Sequence, residues 1–241
     1  MIVIPMAGLS SRFFKAGYKL PKYMLEAHGE SLFNHSVKSF QKYFATINFV
    51  FIVRDVYGTP DFVKESVIEL GIKYYDIVIL DEETRGQAET VTLGLGNYRD
   101  KDEDITIFNI DTFRPNFEYP DLDGLGDGYL EVFQGTGDNW SFVRPLCSAS
   151  TKVDLTTEKQ PISDLCCTGL YYFRSVQDYF NAYDYYLSLP KEFWVNGELY
   201  VAPLYNYLIK QEKNIHYHEI TSSEVVFCGV PEEYDLFLEN V

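Results

Sequence analysis

Positions 1–5, Met1-Ile2-Val3-Ile4-Pro5, are apolar without a break, the pattern of a strand buried on both faces of a parallel sheet. A stretch rich in small and basic residues follows, from Met6 to about Pro21, and reads as a loop. Phe33, Val37, Phe40 and Phe44 then recur at spacings of four, three and four, which predicts one face of a helix. Phe49–Val53 reads as a second strand. Val63, Val67 and Leu70 mark a second helix, closed by Gly71. Ile77–Leu80 is a third strand, Gln87–Leu95 a helix, and Ile105–Ile110 a fourth strand ending at Asp111. Strand and helix alternate with short connections, so the first half predicts a parallel, doubly wound sheet.

Beyond residue 120 the rhythm changes. Tyr129–Phe133, Ser141–Val143, Lys152–Leu155 and Leu170–Phe173 read as strands that do not alternate strictly with helices. Helices are expected around Val176–Leu187 and Leu199–Lys210, then a strand at Ile215–Ile220 and a last helix from Pro231. Ser175 and Pro231 suit helix starts, as a capping hydroxyl and a proline in the first turn. No linker, repeat or low-complexity tract interrupts the 241 residues, and 46% of them are hydrophobic, enough for one well-packed α/β domain. The 20 Tyr and 18 Phe are expected mainly in the core.

The net charge of −16 changes the functional picture. Such a surface repels nucleic acid and anionic lipid, and a nucleotide site on it needs local cations. Cys147, Cys166, Cys167 and Cys228 form no C-x-x-C pair and no zinc set with the scattered His28, His35, His216 and His218. No segment approaches the roughly 20 apolar residues of a membrane span, and the first residues lack the basic region of a signal peptide. A reduced, cytoplasmic protein is expected.

Ligands of open parallel sheets bind at the carboxyl ends of strands. Two such ends stand out. Behind the first strand, Met6-Ala7-Gly8-Leu9-Ser10-Ser11-Arg12 continues to Lys15, Lys19 and Pro21-Lys22, placing four cations within eleven residues of an acidic chain. Small residues let backbone N–H groups approach phosphate, and Arg12 and Lys22 supply charge. A solvated basic loop is the bland alternative, and its place directly after the first strand favours the phosphate reading. At the end of the fourth strand, Asn109-Ile110-Asp111 puts a carboxylate where it could hold Mg²⁺, a hard cation that takes oxygen ligands. Alone, Asp111 would more simply cap a turn before Pro115.

The run I-P-M-A-G-x-S-S-R-F…G-Y…P-K resembles the signature loop of the NTP-transferase superfamily of sugar-nucleotide pyrophosphorylases and cytidylyltransferases, usually A-G-x-G-x-R with a later P-K. The resemblance continues through Gly86-Gln87-Ala88-Glu89-Thr90, Asn109-Ile110-Asp111, Trp140-Ser141-Phe142, Glu158-Lys159, Gly169-Leu170-Tyr171, Gly197-Glu198 and Tyr200-Val201-Ala202-Pro203. It implies a Rossmann-like α/β fold with a mixed, mainly parallel sheet and a smaller acceptor-binding lobe. Residues 1–241 would form one nucleotidyltransferase domain, 1–120 its nucleotide-binding half and 121–241 its acceptor-binding half.

The resemblance further implies that Arg12 binds the departing β- and γ-phosphates and that Lys22 neutralises the α-phosphate in the transition state. Met6, Ala7, Gly8, Leu9, Ser10 and Ser11, with Gln87 and Asn109, would contact the nucleotide. Asp111 would hold Mg²⁺, and Lys159 would meet the acceptor's phosphate. Trp140 and Glu198 would line the acceptor pocket, though Trp140 suits a core position equally. Similarity to the capsule-biosynthesis members of the superfamily favours CTP as donor and phosphoglutamine as acceptor. A sugar 1-phosphate or phosphocholine is the enzymatic alternative, and oligomeric state stays open.

Two departures bear on this. Ser10 replaces the second glycine of the signature, a strained choice if φ is positive there. Phe227 stands where many relatives carry a second metal-binding aspartate, which makes Glu198 a candidate substitute. Both departures would also suit an inactive nucleotide-binding regulator, although Arg12, Lys22 and Asp111 are all retained. A dinucleotide-dependent oxidoreductase is disfavoured, because no G-x-G-x-x-G follows the first strand and Arg54, not an acid, follows Val53.

Overall fold

Strand β1 (Ile2–Pro5) is buried along its whole length, as its unbroken apolar run predicts. The computed structural model describes residues 1–239. After β1 the chain forms a one-turn helix, α1 (Ser11–Lys15), then the hairpin strands β2 (Glu26–Ala27) and β3 (Glu30–Ser31) and helix α2 (Leu32–Val37). Next come β4 (Phe49–Arg54), α3 (Thr59–Leu70) and β5 (Tyr75–Leu80). Further on are α4 (Gln87–Gly94), β6 (Ile105–Phe108), β7 (Thr112–Phe113), β8 (Gly128–Gln134) and β9 (Ser141–Pro145). The chain closes with β10 (Val153–Glu158), β11 (Leu165–Phe173), α5 (Val176–Ser188), α6 (Tyr205–Lys210), β12 (Ile215–Ile220), β13 (Val226–Phe227) and α7 (Pro231–Glu239).

Two compact units interleave along this order. The first comprises Ile2–Glu83, Phe108–Glu118 and the chain from Ser223. In it β4 lies between β1 and β5, all parallel and in register, Ile2 opposite Phe49 and Phe49 opposite Tyr75. Gly71 closes α3 with φ 76°, the left-handed conformation that glycine adopts without strain. The short ladder of β7 and β13 is antiparallel, Phe227 opposite Thr112. The second unit comprises Thr84–Ile107 and Tyr119–Ser222, with Met1. There β8 runs antiparallel to β11 and parallel to β12, and β9 runs antiparallel to β10 and β11. Parallel alternation in the first unit and mixed pairing in the second match the change of rhythm read from the sequence.

Several boundaries differ, for local reasons. The helix expected over Phe33–Phe44 becomes 3₁₀ after Val37 and kinks at Phe40 (φ −101°, ψ 20°). Fully buried Phe40 packs edge-on against Phe108 at 4.9 Å and Phe117 at 5.0 Å, and aromatic packing overrides helical continuity. The loop expected over Met6–Pro21 contains α1, and the fourth strand stops at Phe108 rather than Ile110. Ser175 stands at the start of α5, but its side chain makes no capping bond.

The helix expected from Leu199 begins at Ala202 as a 3₁₀ turn. Leu199 is tied by its backbone instead, donating to the Arg85 carbonyl at 2.7 Å and accepting from Ala88 N–H at 2.9 Å. Gly86 makes this clasp possible. Its φ is 134°, and a Cβ there would stand 2.6 Å from the Leu199 carbonyl oxygen and 2.7 Å from its nitrogen. We expect Gly86→Ala to lower stability by about 2–5 kcal/mol, because a strained φ and a backbone collision add. A urea-unfolding midpoint unchanged from wild type would show that the clasp yields freely.

Candidate active site

Beyond buried β1 the chain runs irregularly over residues 6–10 at that strand's carboxyl end. Met6 and Ala7 are buried, while Gly8 and Leu9 are exposed. A side chain at Gly8 would meet nothing within 4 Å, so the space above this peptide is open to a ligand. Ser10 has φ 51° and ψ 32°, the strained geometry that a serine in place of glycine raised as a concern. Its hydroxyl offsets that strain by accepting the Lys22 backbone N–H at 3.1 Å, which joins the two basic ends of the loop. We therefore expect Ser10→Ala to cost about 1 kcal/mol, since it keeps the strain and loses the bond. Ser10→Gly should be closer to neutral in thermal unfolding, and the reverse ranking would show that the hydroxyl contributes nothing.

Ser11 opens α1 and is exposed, as is Arg12, whose guanidinium has no hydrogen-bond or salt-bridge partner among the described residues. Phe13, on the buried side of α1, packs into a cluster with Leu25, Leu32, Phe113, Cys228 and Tyr234. This cluster holds α1, β7 and α7 together beneath the loop. Tyr234 further donates to the Glu26 carbonyl at 2.7 Å.

Lys22 follows Pro21 in a 3₁₀ turn, and its Nζ lies 2.5 Å from Asp111 Oδ2, with both side chains 22% exposed. Asn109, half-buried at the end of β6, accepts through its carbonyl from Thr112 N–H at 3.2 Å. The β7–β13 ladder continues as Cys228 N–H donating to the Asp111 carbonyl at 2.8 Å, which lays Gly229 against the Asp111 side chain. A Cβ on Gly229 would stand 2.9 Å from Asp111 Oδ2 and 3.5 Å from Glu233 Oε2. Burial first, then the Glu233 and Asp111 charges, push the Cys228 thiol up to about 12, so it remains protonated at neutral pH. Phe227 belongs to β13, and its side chain has no metal-binding atom.

In the second unit the Leu199 clasp positions the start of α4. Gln87 is its first residue and half-buried, and Glu89 accepts the Arg85 N–H at 2.5 Å and the Arg85 side chain at 2.8 Å. Lys159, at the end of β10, also has positive φ, 53°, with its N–H donating to the Trp140 carbonyl at 2.8 Å. Its ammonium donates to the Tyr200 hydroxyl at 2.5 Å and lies 4.7 Å from the centre of that ring. Trp140 is half-buried, edge-on to Phe133 at 5.1 Å, with its indole N–H donating to the Thr136 carbonyl at 3.2 Å. Glu158 is buried beside Lys159 and accepts from the Ser141 hydroxyl. Burial raises its carboxyl pKa, and the charge of the exposed Glu198 adds to the rise.

The structure thus gathers Ser10, Lys22 and Asp111 in the first unit, and Trp140 and Lys159 in the second. The sequence reading did not single out Tyr200 and Glu158, which neighbour Lys159, nor Gly229 for its contact with Asp111, nor Glu233, which accepts the Gly229 N–H. Tyr200 and Glu158 lay inside quoted motifs; Pro231-Glu232-Glu233 signals only a helix start.

No protein-family model and no curated protein sequence matches the chain. Among solved structures, the nucleoside-diphosphate-sugar pyrophosphorylase from Vibrio cholerae RC9 is 61% identical, covers 100% of both chains and superposes with a TM-score of 0.96. The chain belongs to the nucleoside-diphosphate-sugar pyrophosphorylase family. Its activity class is accordingly that of a nucleotidyltransferase. Two distant structures share the fold. A UDP-glucose pyrophosphorylase complexed with UDP-glucose is 13% identical, with TM-score 0.74 over 99% of this chain and 96% of that one. The inositol-1-phosphate CTP transferase from T. maritima is 16% identical, with TM-score 0.72 over 98% and 93%. The expected class, a mixed and mainly parallel Rossmann-like sheet with flanking helices, is the fold of this family. Among the described residues no helix is long and apolar enough to cross a membrane.

Proposed function

We propose that the protein moves a nucleoside monophosphate from an NTP to a phosphorylated small molecule and releases pyrophosphate, with CTP as donor and phosphoglutamine as acceptor. The observation that carries the transfer chemistry is the unpartnered Arg12 and the Asp111-held Lys22 on one open, glycine-containing loop. An oxygen of the acceptor's phosphate attacks the α-phosphorus, and the bond from that phosphorus to the β-bridging oxygen breaks. The acceptor phosphate is largely dianionic at neutral pH, so no protein base is needed. Arg12 holds the β- and γ-phosphates, and Lys22 neutralises charge developing at the α-phosphate. Lys22 has three N–H donors, so it can meet that phosphate while it holds or releases Asp111. Gln87 faces the base, and Lys159 holds the acceptor's phosphate.

Asp111 suits a divalent cation by the chemistry of its donor atoms, a hard carboxylate beyond the end of β6 whose Oδ2 carries the Lys22 ammonium in the free protein. Bound there, Mg²⁺ would screen the phosphates. A cytoplasmic role in capsule modification accompanies this reading.

A second reading, with a sugar 1-phosphate as acceptor, draws support from the name of the 61% identical Vibrio protein. Pyrophosphate release decides between them, measured for each of the four NTPs with phosphoglutamine, phosphocholine and several sugar 1-phosphates. Turnover with CTP and phosphoglutamine alone supports the first reading. Turnover with a sugar 1-phosphate replaces it. No release with any pair, despite NTP binding, would leave a regulatory nucleotide-binding protein.

A further inference from the structure

We infer that the free edge of β5 pairs with the same edge of a second copy of this chain, antiparallel and centred on Ile77. The inference does not depend on which nucleotide or acceptor the protein uses; it arises from the backbone. In the first unit β5 pairs with β4 on one side and with no strand on the other. Phe49 N–H donates to the Tyr74 carbonyl at 3.0 Å, and alternate residues of a parallel strand serve one neighbour. Tyr74, Asp76, Val78 and Leu80 therefore turn their backbone groups to β4, and Tyr75, Ile77 and Ile79 turn theirs outward. Among the described residues these outward N–H and C=O groups have no hydrogen-bond partner.

Nothing in β5 guards this edge. Its six residues hold no proline, no lysine and no register shift against β4. Ile79 is 48% exposed, and Tyr74, directly before the strand, is 56% exposed. An edge strand of the second unit, β10, is protected by contrast: its register shifts between Val153 and Leu155, and Asp154 is salt-bridged to Arg144. An unguarded apolar edge gains from pairing, and a two-fold axis brings identical edges together antiparallel.

The side chains select both the partner and the register. Outward residues must oppose outward residues if they are to exchange hydrogen bonds. With Ile77 on the axis, Tyr75 meets Ile79, Tyr74 meets Leu80 and Lys73 meets Asp81 of the second copy. These pairs are aromatic on aliphatic or opposite in charge, and each occurs twice. Moving the axis to Val78 sets Tyr75 against Asp81 and Asp76 against Leu80, and moving it to Asp76 sets that carboxylate against its own copy. Both alternatives are worse. In the favoured register Asp76 faces Val78 and keeps its bond from the Asn48 amide at 3.1 Å. The edge is thus complementary to itself, which makes a second copy its occupant.

The test is sedimentation velocity of the full chain from micromolar to sub-millimolar concentration, in about 0.15 M salt. A concentration-dependent dimer is expected. Ile79→Lys should raise its dissociation constant about tenfold or more, because the substitution acts twice across the axis. Leu146→Lys, at an exposed apolar residue of the second unit, should leave it unchanged. Lys73→Asp and Asp81→Lys should each weaken the dimer, and the two together should restore it. A monomer at every concentration, or a dimer that survives Ile79→Lys, overturns the inference. Weakening by both single charge reversals without recovery in the double variant rejects the register, and the inference with it. Should Ile79→Lys melt lower than wild type, the charge reversals alone decide, since Lys73 and Asp81 are both exposed.

Discussion

Lys22→Ala is expected to lower kcat by about 10²–10³-fold while nucleotide affinity changes by less than about tenfold. In the free protein the Lys22 ammonium rests on Asp111, so a bound nucleotide must share that ammonium with the carboxylate or displace it. Whatever Lys22 gains on the phosphate is reduced accordingly, and its net contribution to affinity is small. In the transition state the α-phosphate carries developing charge, and a fixed ammonium is worth more there than in the ground state. Isothermal titration gives affinity and pyrophosphate release gives kcat. Parallel losses in both would mean that Lys22 binds substrate and transition state equally, which would remove it from the catalytic role. Because the pair is partly exposed, stability should change by less than about 1 kcal/mol.

What the sequence exposed and what it hid follow from the range of the interactions involved. β1 and β4 are buried on both faces, so their composition carries the signal locally, and Gly71 marks the end of α3 through its own backbone preference. The loop from Met6 to Lys22 was legible because a cluster of cations is conspicuous in so acidic a chain. Ser10 was legible as a strain but not as its remedy, since the acceptor for Lys22 N–H lies twelve residues away. The Phe40 kink depends on Phe108 and Phe117, far along the chain, and helical periodicity is blind to that packing. Leu199 carries good helical spacing but is claimed by the backbone around Gly86. The greatest omission is the approach of Gly229 to the Asp111 side chain. It depends on a ladder of two short strands, each with two residues, too brief to leave a period in the sequence. A glutamate two residues after a proline at a helix start reads as a capping residue, and its Oε2 does serve the N–H groups there.

Asp111→Asn provides the sharpest separation of stability from activity. Asparagine is isosteric, so the β7–β13 ladder and the Cys228 N–H bond to the residue 111 carbonyl should persist. Losing an ion pair between side chains that are each 22% exposed should cost no more than about 1 kcal/mol. Pyrophosphate release, by contrast, should fall by about 10²-fold or more, since a cation that neutralises transferring phosphates contributes several kcal/mol. A variant that melts like wild type yet retains full turnover would show that Asp111 is only a tether for Lys22. The double variant Lys22→Ala/Asp111→Asn then distinguishes one device from two. If ammonium and carboxylate serve the same transition state, the combined loss should be well below the product of the single losses. A fully multiplicative loss would mean that each acts on its own, and that their pairing in the free protein is storage without consequence for the reaction.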